Sequence, residues 1–137
     1  MTLEEAMMGM VIAKRGAELE WFHNRHREEP DGTRTLTMRS KFYFNPAREP
    51  AMLRYVEYLP GCTEPRHSHT EDEVVFITAG EMDIEGTIYR AGDALWIQAK
   101  TEYGPLVAGP EGATFLLFRK GMADYVPKPG DPQPKRG

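Results

Sequence analysis

The feature that most constrains this chain is a succession of short segments rich in β-branched and aromatic residues, each closed by a proline or glycine turn. Thr33 to Phe44 opens the series, and Pro46 and Pro50 break it. Ala51 to Leu59 alternates, with Leu53, Tyr55 and Glu57 on one face and Met52, Arg54 and Val56 on the other, before Pro60-Gly61 turns the chain. Further strands are predicted at Glu73 to Thr78, Glu81 to Glu85, Thr87 to Arg90, Ala94 to Gln98, Tyr103 to Val107 and Ala113 to Arg119. The expected turns between them are Ala79-Gly80, Glu85-Gly86, Ala91-Gly92-Asp93 and Gly109-Pro110-Glu111-Gly112. Strands at this spacing with no helix between them predict an all-β antiparallel sandwich or barrel and exclude a parallel α/β sheet.

The two ends read differently. Ala17 to Glu29 is the only stretch of helix-forming density, stopped by Pro30-Asp31-Gly32, and predicts one short helix or an irregular arm. Pro127, Pro129, Pro132 and Pro134 predict an irregular tail from about Val126. The expected organisation is therefore an N-terminal arm and strands over 1–44, a barrel core over 45–125 and a tail over 126–137. A chain of 137 residues fits one domain, and no internal repeat is present.

Charge narrows the partners. Seventeen Lys and Arg stand against 21 Asp and Glu, and the positive residues are spread out, which argues against nucleic acid. No apolar run approaches the ~20 residues of a membrane-crossing helix. Met1 to Met10 carries two glutamates where a secretory signal would carry positive charge, and Cys62 is the single cysteine, so a cytoplasmic location is expected.

Chemistry concentrates at His67-Ser68-His69, with Glu73 four residues on. Strand alternation puts both imidazoles on one face, and Glu73 keeps the same parity across a predicted turn at Thr70 to Asp72. Two neutral nitrogens and a carboxylate suit a divalent first-row metal with positions left open. Taken alone, His-x-His beside Glu64, Glu71 and Asp72 reads better as polar residues on an acidic surface loop. His23 and His26 share a helical face in principle, but neighbouring Asn24, Arg25, Arg27 and Glu28 favour a solvated one. Cys62 is close enough to reach a lumen, although a lone cysteine is more often a small buried hydrophobe.

The wider segment Gly61-x5-His67-x-His69-x3-Glu73-x6-Gly80 resembles the first motif of the cupin superfamily at each of its fixed positions. The resemblance spans about Met52 to Arg119. It implies a single-domain jelly-roll β-barrel, with His67, His69 and Glu73 holding one divalent ion (iron, manganese, zinc or nickel) inside the lumen. The second cupin motif is degenerate: Gly92-Asp93 begins it, Gln98 and Lys100 replace its proline and glycine, and Tyr103 stands where the fourth ligand, a histidine, is expected. Tyr103 then has three possible roles: phenolate ligand, protonated hydrogen-bond donor or acid, or packed aromatic.

Arg54 and Arg119 are candidates to bind a substrate carboxylate, although strand arginines more often face solvent, and Tyr55 and Trp96 are further candidates for contact with substrate. Trp96, Phe115, Leu117 and Phe118 read as core or lumen wall. The expected function is a metal-dependent enzyme acting on a small oxygen-bearing molecule, with dioxygenase chemistry favoured over isomerase or lyase. The alternative is a non-catalytic small-molecule or metal sensor. A homodimer is expected, with Thr33 to Phe44 adding strands to a neighbour.

Overall fold

The computed structural model describes residues 2, 9–121 and 125–128. Its elements are a single 3-10 turn at Gly16–Glu18 and ten strands: β1 His23–Glu28, β2 Arg34–Phe44, β3 Met52–Tyr58, β4 Thr63–Glu64, β5 His67–His69, β6 Glu73–Ile84, β7 Thr87–Arg90, β8 Ala94–Ile97, β9 Leu106–Arg119 and β10 Tyr125–Pro127. The main sheet runs β1-β2-β3-β9-β6-β7, with β4 added on β9 and β8 on β6, and every named pair is antiparallel.

Two long strands turn this sheet into a jelly-roll barrel. The first part of β6 pairs with β8 and its last part with β7, while β9 pairs along most of β6 and hands its two ends to β3 and β4. Each strand therefore belongs to both walls. Register shifts between Ile77 and Ala79 and between Gly80 and Met82 mark the bend. Gly80 and Gly112 both take positive φ, at 71° and 82°, and a Cβ on Gly80 would run into the Gly112 carbonyl.

That close approach corrects two sequence expectations. Ala79-Gly80 and Gly109-Pro110-Glu111-Gly112 are not turns between separate strands but bends inside β6 and β9. A glycine that permits a turn also permits a bulge, and only the partner strand distinguishes them.

The ends are corrected as well. Ala17 to Glu29 forms no α-helix: beyond the 3-10 turn it is strand β1, paired to β2 through six registered positions. Backbone pairing overrides the weak helical preference. Thr33 to Phe44 is no free arm either, because β2 has β1 on one edge and β3 on the other within the same chain. Val126 and Pro127, expected in an irregular tail, lie in β10, which pairs with β5. β10 lies at an edge of its two-stranded sheet, where a proline is tolerated. Residues 129–137, with Pro129, Pro132 and Pro134, lie outside the described residues, as do most of Met1 to Met10.

The core follows from alternation. Ala113, Phe115 and Leu117 of β9, Met52 and Val56 of β3, and Val75, Ile77 and Met82 of β6 are buried and mutually packed. In the same inward phase stand Arg54, Glu73 and Arg119, which places three charged side chains at the lumen.

Candidate active site

The barrel encloses a cavity of about 80 Å³ whose polar lining is Arg54, Tyr58, Glu64, His67, His69, Glu73, Tyr103, Arg119 and Tyr125. Val56, Val75, Leu95, Phe115 and Leu117 supply apolar wall. Such a volume holds only a few water-sized groups, so a ligand there is small.

Glu73 is the centre of the polar cluster. It is 2% exposed, and its two carboxylate oxygens take different partners. Oε1 accepts the Tyr103 hydroxyl at 2.7 Å. Oε2 accepts from Arg119 Nε at 2.9 Å and stands 2.8 Å from Nη2 in the same ion pair. Charge-assisted bonds of this kind compensate for burying a carboxylate and a guanidinium together.

Tyr103 belongs to no strand. Its backbone bonds both ways with His67, N to O at 2.9 Å and 3.0 Å, and this isolated bridge brings its ring to 4.6 Å from the His67 ring. Nδ1 of His67 lies 2.7 Å from the Pro65 carbonyl, which can only accept, so Nδ1 carries the hydrogen. On a neutral ring Nε2 is then an acceptor, and it stands 3.1 Å from the Tyr103 hydroxyl. One hydroxyl proton thus faces two acceptors, Glu73 Oε1 and His67 Nε2. Burial and the adjacent Glu73 charge push the Tyr103 phenol far above its ordinary range. Tyr103 is therefore protonated at neutral pH, which favours its role as donor over phenolate.

His69 lies beside this group, with Nε2 3.7 Å from Glu73 Oε2 and its ring 4.9 Å from that of His67. Nη2 of Arg119 is 3.4 Å from both ring nitrogens of His69 and so aims at neither lone pair. Farther along the wall, Arg54 donates twice to the Ser40 hydroxyl, at 2.9 and 2.7 Å. Glu64 accepts from buried Arg25 at 2.6 Å. The cavity lining itself sets two guanidiniums, Arg54 and Arg119, against two carboxylates, Glu64 and Glu73.

The donor set does not fit a resident divalent ion as it stands. Among the described residues no group of three or more His, Cys, Asp or Glu is arranged to hold one. Glu73 has given both oxygens to Arg119 and Tyr103, and a guanidinium already supplies the positive charge beside it.

The structure brings His67, His69, Glu73, Tyr103, Arg54 and Arg119 of the expected residues to one cavity. Two others lie elsewhere. Tyr55 packs on the outer face with Trp21 and Lys41, and Trp96 is 67% exposed. Trp96 and Phe118 are correspondingly not lumen wall, because both pair with outward-facing Val74. Cys62 is buried in the core beside Arg25 and does not line the cavity. His23 and His26 share no helical face, since β1 is extended.

Sequence reasoning missed Glu64, Tyr58 and Tyr125. Tyr125 stacks on His67 with ring centroids 4.5 Å apart at 21°, and its position in a proline-rich tail gave no signal. Arg119 did carry one, since it falls in phase with Phe115 and Leu117.

Comparison with known proteins follows this geometry. Residues 54–119 match a family model described as a cupin domain. No curated protein matches. Among solved structures, KdgF from a Halomonas species is similar with a TM-score of 0.61 and 21% identity, over 82% of this chain and 96% of that one. The polyketide cyclase RemF from Streptomyces resistomycificus is similar with a TM-score of 0.70 and 15% identity, over 91% of this chain and 90% of that one. An acetylacetone dioxygenase from Acinetobacter johnsonii gives 0.61 and 12%, over 88% of this chain and 80% of that one. Identities in this range establish the fold and leave the reaction to the residues of the site.

Proposed function

The chain belongs to the cupin superfamily, and on that premise we propose that it is an enzyme moving a proton on a small, anionic, oxygen-bearing organic molecule held in the barrel lumen. The observation that carries this reading is the Tyr103 hydroxyl, set between Glu73 Oε1 and His67 Nε2 at the cavity wall. The substrate class is a carbon acid bearing a carboxylate or enolisable carbonyl. His67 Nε2 accepts the proton from carbon, and the Tyr103 hydroxyl turns its one hydrogen from Glu73 Oε1 to the substrate oxygen on which charge develops. The proton returns to a neighbouring atom, giving isomerisation, or the electron pair expels a leaving group, giving elimination.

Arg54 supplies the charge that orients the substrate anion, and the apolar wall excludes water and strengthens both contacts. Glu73, fixed by Arg119, holds the Tyr103 hydroxyl in place. Proton transfer alone suits this arrangement better than the dioxygenase chemistry expected from sequence. A redox metal would have to share Glu73 with a guanidinium.

Solvent-deuterium exchange tests the proposal. A panel of small 2-oxo, 3-oxo and hydroxy acids is incubated with the enzyme in heavy water and followed by proton NMR. Exchange or conversion that depends on Tyr103 supports it. A molecule that binds stoichiometrically without exchange or turnover would establish the second reading, a binding barrel, which the small and largely apolar cavity favours.

A further inference from the structure

We infer that Arg119 is the resident cation of the lumen: its guanidinium takes the place of a divalent ion between Glu73 and His69, so the barrel as built excludes metal, and removing that side chain opens an ion site on His69 and Glu73. The inference goes beyond the proposed reaction and stands whether or not the lumen is catalytic.

Four observations carry it. First, the 3.7 Å gap from Glu73 Oε2 to His69 Nε2 is close to the span of two ligands on one ion with bonds of ~2.0–2.2 Å. The same gap is already flanked by Arg119 Nη2, 2.8 Å from the carboxylate and 3.4 Å from the imidazole. Second, Arg119 donates to one oxygen through Nε, with Nη2 in ion-pair contact, while Tyr103 donates to the other, so Glu73 has no carboxylate oxygen without a donor. Third, Arg119 is 8% exposed and rooted at the end of β9, paired to Met52 and in inward phase with Phe115 and Leu117. The strand sets its inward direction, and the contacts to Glu73 hold its guanidinium there. Fourth, a dication held by Glu73 and His69 would lie against this guanidinium in a site shielded from water, where like charges repel strongly.

The chemistry that an ion would contribute, a fixed positive charge beside the carboxylate, is thus supplied by the chain itself. A guanidinium cannot change oxidation state and opens no coordination position. The site is accordingly restricted to charge and hydrogen-bond chemistry.

The test uses the intact chain, stripped with a chelator and then dialysed against zinc, or against cobalt for its visible bands, with bound metal measured by mass spectrometry. The wild type is expected to retain no stoichiometric ion. Arg119→Met is expected to take up about one equivalent, with affinity higher by on the order of 10²-fold once the like charge is gone. In cobalt it should show new d–d bands. Adding Glu73→Gln or His69→Ala to Arg119→Met should abolish the gain, which places the ion on those side chains.

Arg119→Gln, which keeps a neutral donor for Glu73 while removing the charge, provides the same reading if Arg119→Met does not fold. Stoichiometric binding by the wild type, as tight as in either variant, overturns the inference. So does a variant that folds by circular dichroism and gains no metal. Failure to find turnover on any substrate would count against the proton-transfer reading alone and would leave these stoichiometries unchanged.

Discussion

Tyr103 donates its hydroxyl hydrogen to Glu73 Oε1 at 2.7 Å, although the two residues lie thirty positions apart and only Glu73 belongs to a strand. The β6 ladder aims Glu73 inward, and the two backbone bonds to His67 aim Tyr103 at it. The hydroxyl is therefore placed by backbone geometry, and its removal should disturb chemistry more than folding.

Tyr103→Phe keeps the ring and its packing and removes only the donor. Turnover on any substrate found by deuterium exchange is expected to fall by ~10²–10⁴-fold, the usual range for lost acid–base catalysis, with the folding midpoint little changed. Paired kinetics and thermal melts check this. Unchanged kinetics would reduce Tyr103 to a packed aromatic.

Alkaline conditions should unfold the protein in a way that reports its buried phenols. Tyr58 and Tyr103 are both held well above the ordinary phenol value, mainly by burial. Below pH ~10 both states keep these protons, so stability does not vary with pH on their account. Above it the unfolded chain releases them while the folded chain does not. Stability should then fall by up to about 1.4 kcal/mol per pH unit for each tyrosine. Urea titrations between pH 9 and 11 are expected to show a shallower decline for Tyr103→Phe than for the wild type.

The Arg25–Glu64 pair ties β1 to β4 at 2.6 Å, with both side chains almost fully buried. Arg25→Met should destabilise the fold by roughly 3–5 kcal/mol, because it strands a buried carboxylate. Combining it with Glu64→Leu should restore most of that loss, since neither charge is then left unpaired. Denaturant midpoints of the two variants decide this, and equal midpoints would contradict it.

Tyr125 covers His67 by stacking, from a strand at the end of the described chain. Tyr125→Ala should leave the β6–β9 core folded and weaken ligand binding about two- to tenfold, the equivalent of one aromatic contact. Calorimetry with a bound ligand measures it. No change in affinity would mean that β10 closes nothing.

Much of the fold was legible because alternation is a local property. Met52, Arg54 and Val56 share a face in the sequence and share the lumen side in the structure, and Glu73, His67 and His69 follow the same rule. What parity could not reveal was continuity. Gly80 and Gly112 read as turn residues, yet each sits in a bend inside one long strand, Gly80 against the Gly112 carbonyl and Gly112 against that of Tyr58.

By itself, then, the amino-acid sequence determined an all-β antiparallel sandwich or barrel, the cupin resemblance and the inward phase of the chemical residues. These depend on spacing along the chain, which a period of two makes readable. Only the tertiary structure decided that Tyr103 and Arg119 meet on Glu73, that Arg25 finds Glu64 and that Tyr125 returns to cover His67. Those contacts join residues from distant segments. A guanidinium's choice between solvent and a buried carboxylate depends on what the opposite wall presents, and no local pattern encodes it.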